Sequence, residues 1–270
     1  RAWAEGAGSW VRQFQPIMSV EFNVPLQPYN TFGIVAKAHA LLRINDEADL
    51  RVVLADARWR NTPKFVLGGG SNLVLTGDVR PLVLKVELAG RRVVGETSRA
   101  WIVEAGAGER WHDLVAWTLE QGLPGLENMA LIPGTVGAAP IQNIGAYGVE
   151  LESLVEAVET YDLATGKFVE FDRDACGFGY RTSVFKQPEY EQRFVVVAVR
   201  FHFNYDPPLV VHYPGVKEEL AAMGHGEAFG AREVSEAICS IRRRKLPDPK
   251  VIGNAGSFFK NPVVPAELAQ

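Results

Sequence analysis

Hydrophobic positions in the first third of the chain change period more than once, and each change marks an element boundary. Residues 20–24 form a short run of strand length. Over residues 45–59, Leu50, Val53, Leu54 and Ala57 recur at helical spacing behind a capping Asn45 and an acidic first turn, which predicts a helix. Runs at 64–67, 72–75 and 82–86 are short and bounded by turn residues, as strands are, with Gly68, Gly69 and Gly70 closing the first of them. The sum is a small α/β unit whose glycines sit at a strand end, the place where such units bind ligands.

After Gly90 the pattern restarts. A strand over 101–105 precedes a helix over 110–121, which Gly122 ends in the favoured position just past the last turn. Residues 122–148 then lose all periodicity and become rich in Gly, Pro, Ala and Asn, and so long an aperiodic stretch inside a folded region usually carries function. Beyond it, 154–161 and 167–171 flank Ala164-Thr165-Gly166 as a β-hairpin, and 194–203 adds a strand. A helix over 232–244 leads out and is stopped by Pro247 and Pro249. The expected fold class is α+β, with an α/β unit at 18–88, a mixed and largely antiparallel unit at 89–241, and the start of a third part at 242–270.

Composition narrows the ligand class. A formal charge of −4 and a pI near 5.8 argue against a nucleic-acid partner, which needs a net basic face. No stretch holds the roughly 18 consecutive apolar residues of a membrane helix, so a soluble, cytoplasmic protein is expected, working as a monomer on a small molecule. Cys176 and Cys239 are far apart and read as reduced, buried thiols, and the five histidines show no metal-ligand spacing, so no metal is expected. Residues 1–17 begin without Met and lack the apolar core of a signal peptide. They read as a disordered or non-native leader ahead of a start at Met18.

Two segments carry candidate chemistry. In Gly68-Gly69-Gly70-Ser71-Asn72, residues without Cβ let successive N–H groups turn inward as a nest for phosphate oxygens, and Ser71 and Asn72 add donors. Leu73 stands where the dinucleotide fingerprint needs its third glycine, and the Lys of a P-loop is missing, so a tight turn between strands remains the alternative. In Pro133-Gly134-Thr135-Val136-Gly137-Ala138-Ala139-Pro140-Ile141-Gln142-Asn143-Ile144-Gly145-Ala146-Tyr147-Gly148, small residues would let the backbone run flat against a planar ligand oriented by Gln142 and Asn143. A surface loop is the alternative, although so many Ile, Val and Ala residues fit solvent poorly.

These segments, together with Asn30-Thr31-Phe32-Gly33, Gly125-Leu126-Glu127-Asn128, Phe178-Gly179-Tyr180-Arg181-Thr182-Ser183-Val184-Phe185-Lys186 and the stretch 245–262, resemble in order and spacing the signature blocks of the UDP-N-acetylenolpyruvoylglucosamine reductase family, in its proteobacterial, type I-like version. The resemblance implies a two-part FAD-binding module of the vanillyl-alcohol-oxidase (PCMH-like) type followed by a substrate-binding domain. It further implies FAD and NADPH as cofactors and reduction of a UDP-sugar enolpyruvyl ether in peptidoglycan synthesis. FAD would be held by the glycine segments, that is by Gly68, Gly69, Gly70, Ser71 and Asn72 and by Pro133, Gly134, Thr135, Gly137, Ala138, Ala139, Ile141, Gln142, Gly145 and Gly148, joined by Arg181 and Arg242. Arg181 would also steady the charge that develops on the reacting skeleton, and Ser257 would be the proton donor. Tyr180, Tyr213, Lys245 and Asn261 would contact substrate.

The match departs from the family in two places. The family's third catalytic group is a glutamate near its C-terminus, and this sequence reaches Gln270 before such a segment, with Glu267 in the wrong context to replace it. Ala138-Ala139 stands where relatives carry serines that bond the cofactor. Two other readings stay open: a different flavin-dependent oxidoreductase on the same scaffold, such as a carbohydrate or alcohol oxidase, and a FAD-holding chain with impaired catalysis.

Overall fold

The structure, a computed structural model, describes residues 20–257, 259–262, 264, 265 and 267. The expected leader at 1–17 lies outside the described residues. Two sheets organise the chain. The first has the order β1-β2-β4-β3, with β1 (Glu21–Pro25), β2 (Lys37–Ile44), β3 (Lys64–Leu67) and β4 (Val79–Val86). Its β2, β4 and β3 run parallel, while β1 pairs antiparallel along the edge of β2. The second is antiparallel throughout, in the order β10-β9-β11-β6-β5: β5 (Arg91–Glu96), β6 (Ala100–Gly106), β9 (Val155–Asp162), β10 (Lys167–Asp172) and β11 (Phe194–Asn204). A short ribbon, β7 (Gly145–Ala146) with β8 (Val149–Glu150), lies inside the glycine-rich stretch.

Among the described residues, five α-helices accompany the sheets: α1 (Glu47–Ala55), α2 (Ala57–Arg60), α3 (Trp111–Glu120), α4 (Val216–Ala222) and α5 (Ala231–Lys245). The helix expected over 45–59 is divided. Asp46 rather than Asn45 caps α1, and Asp56 leaves the helical conformation so that its carboxylate can accept from the Arg58 N–H and start α2. The strand expected over 72–75 does not form. Its alternating Leu73 and Leu75 instead anchor a loop on a small core of Leu26, Ala38, Leu41, Leu67 and Val83. Gly122 is left-handed, with φ of 73°, as its position past α3 requires. Unforeseen in the sequence were β2, β5, the β7–β8 ribbon and α4.

The main core joins the two sheets. Ala40, Leu42, Ile44, Leu82, Leu84 and Val86 from the first sheet bury one face against Val103, Val158, Val199 and Phe201 of the second, with Trp111 and Leu114 of α3 in the same cluster. The loops leading out of this core carry the glycines.

Candidate functional site

The triple-glycine turn leaves the C-terminal end of β3, and its carbonyls are tied down. Lys85 Nζ on β4 donates to the Gly68 carbonyl at 2.9 Å, and the Thr31 N–H donates to the Gly70 carbonyl at 3.2 Å. Among the described residues, the backbone N–H groups from Gly69 to Asn72 donate to no protein acceptor. That arrangement is a nest with its donors unused. Gly70 is obligatory: φ is 65°, and a Cβ there would stand 1.9 Å from the Tyr29 carbonyl oxygen. Across from the turn, Gly134 approaches so closely that a Cβ on Gly69 would lie 3.0 Å from its Cα. The two glycine segments face one another, and of the alternatives left open by the sequence, a surface loop and an isolated tight turn both fail.

The stretch at 140–145 is locked to the turn that carries Arg181. Asn143 is fully buried in a left-handed conformation, and its amide donates to the Gly179 carbonyl at 3.2 Å while its Oδ1 accepts from the Glu152 N–H at 3.0 Å. Ser183 Oγ donates to the Ile141 carbonyl at 2.7 Å. Arg181 itself has φ of 55°, a conformation that costs a non-glycine residue on the order of 1 kcal/mol and is maintained only by such surroundings. Its guanidinium donates to the carbonyls of Asn143 (3.3 Å) and Gly145 (2.9 Å) and lies over the Tyr180 ring. The expectation that Asn143 orients a ligand is therefore corrected, because its polar atoms are spent on the protein. Gln142 does face the cleft and accepts from Asn72 Nδ2 at 3.3 Å.

Thr31 connects the remaining block. Its hydroxyl donates to the Asn254 carbonyl at 2.5 Å, and its own carbonyl accepts from the Asn254 N–H at 3.1 Å. Gly253 packs so tightly on Phe32 that a Cβ would come within 2.3 Å of the Phe32 carbonyl oxygen. The turn around Thr31 is itself fixed by Asn30, whose buried amide donates to the carbonyls of Leu26 and Ile34. One residue thus ties the glycine turn on one side to the segment bearing Ser257 on the other.

These segments enclose a cleft of about 690 Å³ that unites Gly68, Gly69, Gly70, Ser71 and Asn72 with Pro133, Thr135, Ala138, Ala139, Ile141, Gln142 and Gly145, and these with Tyr180, Arg181, Arg242, Ser257 and Asn261. A smaller recess of about 270 Å³, walled by Phe65, Val86, Gly137, Phe185 and Phe194, adjoins it and shares Gly68 and Thr135. Gly137 thus serves the recess, and Gly134 acts by its approach to Gly69 and Ser71. Besides Gly134, three expected residues fall outside both linings. Gly148 packs on Val210 and His212, and Lys245 is exposed at the end of α5. Tyr213 meets Tyr147 edge-on at 5.2 Å, and Tyr147 lies beside the charge of Arg242. Burial lowers the Arg242 pKa and raises that of Tyr147, and the buried Nε of Arg242 finds no hydrogen-bond partner among the described residues.

Reading the sequence missed Lys186 and Lys260, which also line the cleft. Lys186 was visible within the Phe178-to-Lys186 block, but nothing in its spacing separated it from surface lysines. With Arg181 and Arg242 they make four cations, and among the described lining residues there is no carboxylate. The cleft is built for an anionic ligand with a flat part, and its unused amides, cations and close-packed glycines fit FAD.

The fold and the cleft define a FAD-binding flavoprotein of the vanillyl-alcohol-oxidase type. The family described as "FAD binding domain" matches residues 38–172. UDP-N-acetylenolpyruvoylglucosamine reductase from Azoarcus sp. (strain BH72) is 57% identical over 255 residues, covering 93% of this chain and 73% of that protein. The protein of that name from Pseudomonas aeruginosa is 51% identical, covering 94% of this chain and 74% of its own length. The crystal structure of UDP-N-acetylenolpyruvylglucosamine reductase (MurB) from Thermus caldophilus superposes with a TM-score of 0.65 at 27% identity, covering 91% of this chain and 76% of that one. The chain belongs to the UDP-N-acetylenolpyruvoylglucosamine reductase family, and so to the FAD-dependent oxidoreductases. Among the described residues no helix is long and apolar enough to cross a membrane, and no group of side chains is arranged to hold a metal.

Proposed function

We propose that this chain reduces the enolpyruvyl ether of UDP-N-acetylglucosamine to the lactyl ether of UDP-N-acetylmuramate, with NADPH as reductant, as a step of peptidoglycan synthesis. The observation that carries the reading is the union of the glycine nest, Arg181 and Ser257 in one cleft whose described lining holds four cations and no carboxylate. Bound FAD supplies the hydride chemistry between NADPH and the enolpyruvyl double bond. Residues 18–88 and 89–241 together act as its binding module, and the stretch from 242 opens the substrate-binding part.

What this chain adds is orientation and charge. The N–H groups of 69–72 receive the diphosphate, and the small residues of 133–145 leave room for the ring system. The Arg181 guanidinium can meet a carboxylate with two parallel hydrogen bonds, so it stabilises negative charge as that charge develops on the substrate skeleton. The Ser257 hydroxyl delivers a proton to the carbon beside the one that receives hydride. A hydroxyl is a weak acid, but an enolate is a strong base, and placement accounts for most of the rate. Tyr180 and Asn261 line the substrate end, while Tyr213 and Lys245 stand outside the cleft lining.

An oxidase acting on alcohols or carbohydrates is disfavoured by Ser257, since such chemistry needs no proton donor there. The test uses Ser257→Ala. Purified protein is expected to show flavin absorbance bleached by NADPH, and the variant to keep that bleaching at the parental rate while product formation drops by about a hundredfold or more. Equal loss of both steps rejects the role of Ser257, and colourless, flavin-free folded protein rejects the reading as a whole.

A further inference from the structure

Lys85 is a charge inside the apolar run Leu82-Val83-Leu84-Lys85-Val86, where strands seldom place one. It sits on β4 in register with Leu67 of β3 and Arg43 of β2. Burial lowers its pKa, so the surroundings work against its charge. Two carboxylates lie nearby, yet both belong to Arg43, which binds Glu21 at 2.9 Å and Glu87 at 3.0 Å and also donates to the Tyr29 hydroxyl at 2.7 Å. Among the described residues no carboxylate oxygen comes within ion-pair distance of Lys85 Nζ, whose partners are the Gly68 carbonyl at 2.9 Å and the face of the Tyr29 ring. The charge of Glu87 offsets part of that burial and Arg43 opposes it, so a half-buried ammonium with no carboxylate in contact is costly unless something anionic joins it. The unused N–H groups of 69–72 mark where that anion would lie, on the turn whose first carbonyl Lys85 holds.

We propose that Lys85 is a positioning residue for the cofactor diphosphate: it pins the Gly68 carbonyl away from the cleft, which turns the following N–H groups toward the phosphates, and its charge adds attraction from behind the turn. The inference rests on FAD occupying this cleft. It also explains how a glycine turn lacking both the dinucleotide fingerprint and the P-loop lysine can hold a diphosphate, since the cation comes from the neighbouring strand.

The experiment is titration of deflavinated protein with FAD, followed by flavin fluorescence, for the parent, Lys85→Gln and Lys85→Met at two or more NaCl concentrations, with thermal melts of the flavin-free proteins. Lys85→Gln retains a donor for Gly68 and removes the charge. It is expected to weaken FAD binding about tenfold, to melt within a few degrees of the parent, and to flatten the salt dependence of the Kd. Lys85→Met loses both functions and is expected to weaken binding further. Should Lys85→Met fail to fold, Lys85→Gln alone decides. Parental affinity and salt dependence in Lys85→Gln overturns the proposal while leaving FAD in the cleft. A parent that binds no FAD overturns the reading beneath it.

Discussion

Gly70→Ala is the sharpest perturbation that the site offers. The new methyl would lie 1.9 Å from the Tyr29 carbonyl oxygen and 2.8 Å from the carbonyl carbon, whereas real Cβ contacts essentially never fall below 3.0 Å. At least about 1 Å of displacement is needed, and both partners are backbone, so no side chain can rotate out of the way. The turn cannot yield freely either, because Lys85 holds the Gly68 carbonyl and Thr31 holds that of Gly70. The left-handed conformation of Gly70 costs an alanine about 1–2 kcal/mol and the forced repacking a further 1–3, so a loss of roughly 2–5 kcal/mol is expected. Either the variant absorbs this as lower stability, or it moves the turn and surrenders the alignment of its N–H groups. Flavin content after purification, the Kd for FAD and a thermal melt together report the outcome, and Gly77→Ala is the control, since nothing lies within 4 Å of the added methyl there. A Gly70→Ala protein with parental flavin content, Kd and melting temperature refutes the argument from close approach.

Two further perturbations probe the walls. Asn143→Ala removes the bonds to Gly179 and Glu152, strands buried partners and places alanine at φ of 45°. A loss of about 2–4 kcal/mol by urea titration is expected, with Arg181 released from its two carbonyls, and a parental unfolding midpoint argues against this role. Asp162, at the end of β9, accepts from Arg193 at 2.8 Å, and that bond holds its carboxyl down at about 2. Because its folded value lies below the unfolded one, the contribution is complete above the unfolded pKa and disappears as pH falls through 3.8 toward about 2. Asp162→Asn should cost about 2 kcal/mol near pH 7 and progressively less below pH 4. A stability gap that stays constant across that range rejects the linkage.

Much of this was legible before the structure. The hairpin of β9 and β10 and the long α5 followed from periodicity and turn residues, since each is held by local pattern. The parallel β2 was not, because Lys37, His39 and Arg43 interrupt its apolar positions, and its buried faces are set by pairing with β4, far along the chain. The glycine segments announced themselves by composition, and Arg181 and Ser257 by the company of their neighbours. Asn143 was misjudged because sequence gives no sign of whether an amide spends its bonds on ligand or on backbone. Lys85 and Thr31 were passed over since their importance arises from strands and turns brought together across the fold, 17 and 223 residues away from their partners.

Because one hydrophobic interior serves both sheets, the two halves of the flavin module are expected to melt together, and two resolved transitions in a thermal melt would refute that coupling. Every ligand that prefers the folded form then raises the stability of the whole body by the same mass-action increment, wherever in the cleft it touches. Release of the flavin and collapse of the scaffold are accordingly two readings of one equilibrium, and a dye-free melt monitored at the flavin's own wavelength reports both.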